Sequence, residues 1–375
     1  MNLQRSEILT SSHRRPGLFG RVSPPDREWL SRASKEDPIE PDLPIIDTHM
    51  HFWHRPNSYR YFVEDYARDA TESGHNIEAT MFAECHAMYR ALGPDHLKCV
   101  GETEFAVGMS AIGASGRYTR TRVAAGIVGY ADLTLGRLTQ ETLEAHIEAG
   151  NGRFKGVRHA GKWDADPAVR NDEGATGPGL YLSPQFGEGL ETLTRLGLSL
   201  DASVFAPQIP DLTALARAHS DANIILIHTG SPVGHSSYAG RDKEHHILWL
   251  THMKELARCP NVSIKIGGLL VHLGNYDYFG ADAPATSEQL AQYWRPYIEP
   301  CLELFGADRC LVESNFPVDK SGFSYGTLWN MFKRITAKCS ADEKRLIFSG
   351  TARRVYRLGD RRPDSELPIH LGREH

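Results

Sequence analysis

Residues 45–51 read Ile-Ile-Asp-Thr-His-Met-His. The apolar opening, Ile45 to His49, is the length of a short buried strand. Side chains two apart on a strand share a face, so His49 and His51 look the same way while Met50 looks the other. At the rim of a barrel that way is inward, with Met50 toward the surrounding helices. Two imidazoles placed so can hold a divalent metal ion, or bind a carboxylate or carbonyl oxygen directly.

Outward from this stretch the same unit repeats. Candidate strands follow at Thr80 to Cys85, Ala125 to Ala131, Phe154 to His159, Leu198 to Val204, Asn223 to His228, Val262 to Ile266 and Cys310 to Ser314. Each is a short apolar run bounded by Gly, Pro or polar residues, as buried parallel strands are. Helical periodicity fills the intervals. Gln140 to Ala149 carries Leu143 and Ile147 four apart, and Asp211 to His219 aligns Leu212, Leu215 and Ala216. His246 to Arg258 aligns Ile247, Leu250, Met253 and Leu256, and Ser287 to Leu304 forms a further helix. Eight strand–helix repeats predict an α/β fold, a closed (β/α)8 TIM barrel. An open doubly wound sheet is the alternative, but the first strand is not followed by Gly-x-Gly-x-x-Gly, which excludes its dinucleotide-binding version. The predicted division is an arm over 1–42, the barrel over 43–358 and a tail over 359–375. The long βα loops 160–184 and 270–286 are expected to wall the pocket or form its lid.

Composition narrows the partners. The chain has 375 residues, 41% of them hydrophobic and 24% charged, and a formal net charge of −5. This mildly acidic balance gives no reason to expect nucleic-acid binding, and no nucleic-acid partner is expected. A small-molecule substrate is the expected partner, with assembly into a homo-oligomer left open. Apolar runs of about 18 residues are absent, as is the apolar core of a signal peptide, so the expectation is a cytoplasmic protein with no membrane partner. The six cysteines form no Cys-x-x-Cys pair and read as buried free thiols.

Polar groups recur at the strand ends. Glu84 and His86 close the second strand, and Arg158 and His159 the fourth. Asp201 lies in the fifth, His228 ends the sixth, Lys265 lies in the seventh and Asn315 follows the eighth. Burying each costs desolvation energy unless it is paired or used, so their convergence on one mouth outlines a site. Phe52, Trp53 and Tyr276 are candidates to wall an apolar substrate ring, and Trp53, His86, His159 and Tyr276 are the expected substrate-binding residues.

Several of these stretches carry a resemblance. They are Ile46-Asp47-Thr48-His49-Met50-His51-Phe52-Trp53, Gly156-Val157-Arg158-His159, Ile227-His228-Thr229-Gly230-Ser231-Pro232, Ser314-Asn315-Phe316-Pro317 and a closing segment, Phe348 to Leu358. Over residues 43–358 the chain resembles the amidohydrolase superfamily, in its branch of lactonases such as those acting on 2-pyrone-4,6-dicarboxylate and sugar acids. The resemblance implies His49, His51 and His228 as metal ligands or substrate-binding imidazoles, and Arg158 as a carboxylate or oxyanion partner. The implied cofactor is one divalent ion, zinc or manganese, with a metal-free mechanism as the alternative. No lysine stands at the fourth strand end for a two-metal site, since Lys155 precedes the rim.

The chain departs from that branch at Asn315, where the resemblance implies Asp. An amide has no useful basicity near neutral pH, so Asn315 cannot be a general base, although it can orient water or substrate. Glu84, His86, Asp201 and Asp319 are the candidate bases. The expected catalytic set is His49, His51, Glu84, Arg158, His228 and Asn315, and the expected reaction is water attack on a lactone carbonyl. Two other readings stand beside it: metal-dependent non-oxidative decarboxylation of an aromatic or unsaturated acid, and a barrel that binds a ligand without turnover.

Overall fold

The computed structural model describes residues 19–55, 59–169 and 177–359. The first eighteen residues of the predicted arm, residues 170–176 of the first long loop and residues 360–375 of the predicted tail lie outside the described residues. Eight strands form one sheet in strict chain order. They are β1 (Ile45–Met50), β2 (Ile77–Ala83), β3 (Arg122–Gly129), β4 (Phe154–Val157), β5 (Ser199–Ala202), β6 (Asn223–Leu226), β7 (Val262–Ile266) and β8 (Cys310–Val312). Every neighbouring pair is parallel, from Ile46 opposite Ala79 to Val312 opposite Ile266. The ring closes just past β8: the Asn315 N–H donates to the His49 carbonyl at 2.9 Å, and the His51 N–H to that of Phe316 at 2.7 Å. The (β/α)8 barrel expected from the strand–helix repeats is therefore the observed fold.

The major helices α1 (Val63–Ser73), α2 (Val100–Ala114), α3 (Thr139–Gly150), α4 (Pro184–Arg195), α5 (Ile209–Ala218), α6 (Asp242–Ala257), α7 (Ser287–Phe305) and α8 (Tyr325–Ile335) follow the strands. Local chemistry sets their starts. Ser183 caps α4 with Pro184 as its first residue, and Thr286 with Gln289 forms a capping box on α7. Among the described residues no helix is long and apolar enough to cross a membrane.

Alternation along the strands makes two apolar layers. Ile46, Met81, Val128, Ile225 and Leu311 fill the barrel interior, where Ala352, Val355 and Tyr356 of the closing segment pack on them as a floor. Ile45, Phe82, Ile127, Leu226 and Ile264 face outward to Trp249, Trp294 and the other helical residues. These residues seal the floor, and a site can open at the opposite, C-terminal mouth of the barrel.

Two helical stripes differ from the sequence reading. On α3 Leu143 is buried but Ile147 is exposed, and on α6 Ile247 is exposed while Trp249 takes the core position. An indole buries far more apolar area than an isoleucine, which rotates the helix. Phe52, expected at the substrate, is fully buried against Tyr61, Tyr66 and Phe82.

Two buried histidines outside the mouth make stability pH-dependent. His146 lies between the Thr103 hydroxyl and the Tyr130 carbonyl, and His75 accepts from Lys333 Nζ at 2.9 Å. Burial above all pushes both down to about 4. The unfolded chain takes these protons first, so their stabilisation is full above about 6.5 and is lost as pH falls toward 4. Each is expected to cost about 2 kcal/mol between pH 7 and pH 5. Urea titrations of the wild type, His146→Asn and His75→Asn at the two pH values check this: each variant is expected to lose less stability between pH 7 and pH 5 than the wild type, and an unchanged loss would contradict it.

Candidate active site

The site residues stand where the strands stop. β1 supplies His49 and, one residue beyond its end, His51. Glu84 follows β2, Arg158 follows β4, His228 lies two residues past β6, and Glu313 and Asn315 follow β8. The sequence reading ran several strands through these residues, whereas the ladders end before them. At His228 the reason is local backbone, since its φ of 53° is one no strand accommodates, and His86 and Asn315, just beyond the predicted second and eighth strands, share it at 58° and 54°. Left-handed residues at functional positions store strain that the surrounding scaffold holds.

Asp47 ties the mouth together. Its carboxylate accepts from the Ser314 N–H at 2.9 Å, the Ser314 hydroxyl at 2.6 Å and the Tyr325 hydroxyl at 2.8 Å. Burial outweighs these bonds and raises it to about 6. The bond between Asp47 and Ser314 fixes His49 and Glu313 relative to each other.

Glu313 is the centre of the group. Its Oε1 accepts from the His228 backbone N–H at 2.8 Å and pairs with His228 Nδ1 at 2.9 Å, and its Oε2 lies 3.3 Å from His49 Nδ1. The two imidazole rings are 4.5 Å apart, with that of His51 4.9 Å from His49. Burial is the first cause lowering His49 and His228 well below the ordinary value, and neighbouring cationic groups lower them further. Burial likewise raises Glu313 to about 8. His51 is pushed down to about 3, by burial first and then by Arg158, and its Nδ1 bonds the Ala83 carbonyl at 2.8 Å.

Arg158 is locked in place. Its Nε donates to Glu84 Oε1 at 2.5 Å, another of its nitrogens donates to the Glu84 carbonyl, and Nη1 lies 3.4 Å from His49 Nε2. Burial is the largest influence on Glu84 and would raise it, but Arg158, His86 and His51 together outweigh it and leave Glu84 below the usual range. Asn315 donates its amide N–H to Asp319 Oδ1 at 2.9 Å, and burial holds Asp319 well above the carboxylate range.

The donor set fits a metal ion. His49, His228 and Glu313 are the group among the described residues whose ligand atoms all lie within 4.8 Å of one another. His49 Nδ1 and Glu313 Oε2 are buried without a hydrogen-bond partner. Two imidazoles and a carboxylate are ordinary zinc or manganese ligands. The expected trio gains Glu313, and His51 stands outside it.

A cleft of about 630 Å³, continuous with solvent, opens over this group. His51, Trp53, Glu84, Arg158, His228 and Asn315 line it, as expected from sequence, together with Lys162 and His272 of the two long loops. Other expected residues stand elsewhere. Tyr276 is buried with its hydroxyl donating to the Gly322 carbonyl and accepting from the Ala285 N–H, so it braces a loop. His159 accepts from the Leu133 N–H below the rim, and His86 is exposed, 3.6 Å from Glu84. Of the candidate bases, Asp201 is deep in the barrel, paired with Lys265 at 2.7 Å and with Tyr356. Asp319 is fully buried behind Asn315. Sequence reasoning missed Glu313, Lys162 and His272. For Glu313 a signal existed: it is two residues before Asn315, the same spacing that singled out His49 and His51.

Gly268 keeps room for the central imidazole. Its φ is 57°, and a Cβ there would lie 2.1 Å from His228 Nδ1. Gly268→Ala is therefore expected to displace His228 and lower kcat/KM at least about tenfold, with a stability loss of about 1–3 kcal/mol. Steady-state kinetics and a thermal melt measure both. Unchanged activity would mean that the His228–Glu313 bond is not needed.

A family model described as amidohydrolase matches residues 46–358. A Sinorhizobium fredii protein designated y4mH is 32% identical over 330 residues, covering 84% of this chain and 99% of its own. The L-fucono-1,5-lactonase of Burkholderia multivorans is 26% identical over 322 residues, covering 84% and 96%. A crystal structure of an amidohydrolase from Burkholderia multivorans with bound zinc superposes with a TM-score of 0.64 at 24% identity, covering 84% of this chain and 99% of that one.

Proposed function

This chain belongs to the amidohydrolase family, and from that premise we propose that it hydrolyses a lactone of a small carboxylic or sugar acid by water attack on the ring carbonyl. The observation that carries the reading is the His49–His228–Glu313 cluster under a cleft walled by Arg158 and His51. The lactonase similarity supports the same class of substrate.

The cluster would hold one divalent ion, zinc or manganese, through His49, His228 and Glu313. Bound there, such an ion supplies Lewis acidity and an acidified water. The side chains themselves divide the remaining work. Glu313 accepts the Nδ1–H of His228, which orients the ring and leaves Nε2 as its lone-pair atom. Arg158, fixed by Glu84, offers positive charge beside His49 for the oxyanion of the tetrahedral intermediate. His51, held neutral and oriented by the Ala83 carbonyl, presents Nε2 to the substrate. Asn315, oriented by Asp319, hydrogen-bonds water or substrate but takes no proton. Trp53 stacks beside His51 at 5.7 Å as an apolar wall. The free thiols suit a reducing compartment, and we place the protein in the cytoplasm.

The test is a panel of sugar-acid and carboxylated lactones followed by both acid release and carbon dioxide. Lactone opening releases one acid per turnover and no gas, and His51→Ala is expected to abolish it while Asn315→Ala is milder. Carbon dioxide release from aromatic acids, with lactones untouched, would replace this reading by decarboxylation.

A further inference from the structure

We infer that Glu102, a buried carboxyl on α2 that does not line the cleft, is a positioning residue: its Oε1 holds the turn after β2 in the shape that lets Glu84 lock Arg158 beside His49. The inference rests on the hydrolase reading above and adds to it the group that sets the oxyanion donor.

At the end of β2 the Glu84 N–H still donates to the Val128 carbonyl, at 2.8 Å. Beyond it the chain turns through His86 and Met88, with φ of 58° and 57°. Residues in the left-handed region stay there only where their surroundings hold them. Glu102 Oε1 does so on both sides of His86, accepting from the Cys85 N–H at 2.9 Å and the Ala87 N–H at 2.8 Å. The first of these bonds is the link to the site. The Cys85 N–H and the Glu84 carbonyl belong to one rigid planar peptide and point opposite ways. Glu102 holds one end of that peptide, and Arg158 donates to the other as well as to Glu84 Oε1. Rotating the peptide plane would carry the carbonyl off the guanidinium, whose Nη1 lies 3.4 Å from His49 Nε2.

Gly101 makes the reach possible. A Cβ there would lie 2.6 Å from the Met88 carbonyl oxygen and 2.7 Å from the Arg90 nitrogen, so glycine lets the first turn of α2 press this close to the turn after β2. Glu102 is buried, and burial first and Glu84 second raise it to about 8. Its Oε2 is buried without a hydrogen-bond partner. Placing a carboxyl there costs desolvation energy, and the two backbone N–H groups it satisfies are what an apolar side chain in its place would leave unpaired.

¹⁵N NMR of the arginine Nε–H groups of the full chain tests this without turnover, with the Arg158 signal assigned by its loss in Arg158→Lys. In the wild type that proton, held by a buried carboxylate, is expected to exchange slowly with solvent. Glu102→Leu is expected to speed the exchange at least about tenfold. It is also expected to lower kcat for lactone opening at least about tenfold, with KM changed by less than about threefold. Glu102→Gln keeps an oxygen for both N–H groups and is expected to retain the slow exchange and most of kcat. Thermal melts accompany each variant, and Gly101→Ala, which pushes α2 off the turn, is a second route to the same losses should Glu102→Leu not fold. Wild-type exchange at Arg158 in Glu102→Leu, or a Glu102→Gln as impaired as the leucine variant, would overturn the inference. So would a wild-type Arg158 signal that exchanges freely, or a lowered melting temperature with exchange and kcat unchanged, which would make Glu102 a stabilising residue only. Fast Arg158 exchange in the Glu102→Leu variant of a protein that opens no lactone would uphold the positioning role and reject the hydrolase reading. Lactone opening by a protein whose Arg158 exchange ignores Glu102 would do the reverse.

Discussion

Glu313→Gln is expected to lower kcat/KM for lactone opening by roughly 10²–10³-fold while the barrel stays folded. The substitution keeps the shape of the side chain and removes its charge. One oxygen remains to accept from the backbone N–H and Nδ1 of His228, but the other position becomes an NH2 facing His49 Nδ1, at a separation of 3.3 Å in the native protein. His228 keeps its acceptor, but His49 Nδ1 then faces a donor where it faced an acceptor, and the cluster loses its carboxylate ligand. An orienting partner is commonly worth 10–100-fold, and here the same carboxylate that orients His228 is also a candidate ligand of the ion. Circular dichroism melts and steady-state kinetics on the same preparation separate folding from turnover. Activity within about fivefold of wild type would show that Glu313 is a buried bystander.

The second large effect is on stability. Asp201→Ala is expected to destabilise the fold by about 3–5 kcal/mol, because it strands Lys265 in the barrel interior. Lys265 Nζ donates to Asp201 Oδ2 at 2.7 Å and to the Thr48 carbonyl at 2.6 Å, and the Tyr356 hydroxyl bonds Asp201 from the floor at 2.8 Å. Both charged side chains are sealed from solvent. Removing one partner leaves an uncompensated buried charge, whereas replacing both by apolar residues of similar volume removes the penalty. The double variant Asp201→Leu with Lys265→Met is therefore expected to recover most of the loss. Guanidinium titrations measure both, and a single variant as stable as wild type would mean that water reaches the pair.

These two carboxylates also mark how far the sequence could be read. The strand–helix alternation is a local signal repeated eight times, and it placed every barrel strand to within a few residues. His49, His51, Arg158 and His228 were legible because each follows an apolar run directly. Asp201 sits in an equally apolar run, and nothing local tells a residue aimed at the floor from one aimed at the mouth. That distinction comes from Tyr356 and Lys265, 155 and 64 residues away along the chain. Glu313 was passed over because attention fell on Asn315, the position where the resemblance implies Asp. In the folded chain the carboxylate missing at Asn315 is present two residues earlier, on the same group of histidines. Lys162 and His272 come from loops without periodicity, and only the fold joins them.

The most direct test of the account is hydrolysis of a lactone substrate in ¹⁸O-labelled water, with the product read by mass spectrometry. Water attack on the carbonyl places one ¹⁸O in the product carboxylate and none in the released hydroxyl, and that is the predicted result. Label in the hydroxyl, or product formed with loss of carbon dioxide, would contradict it.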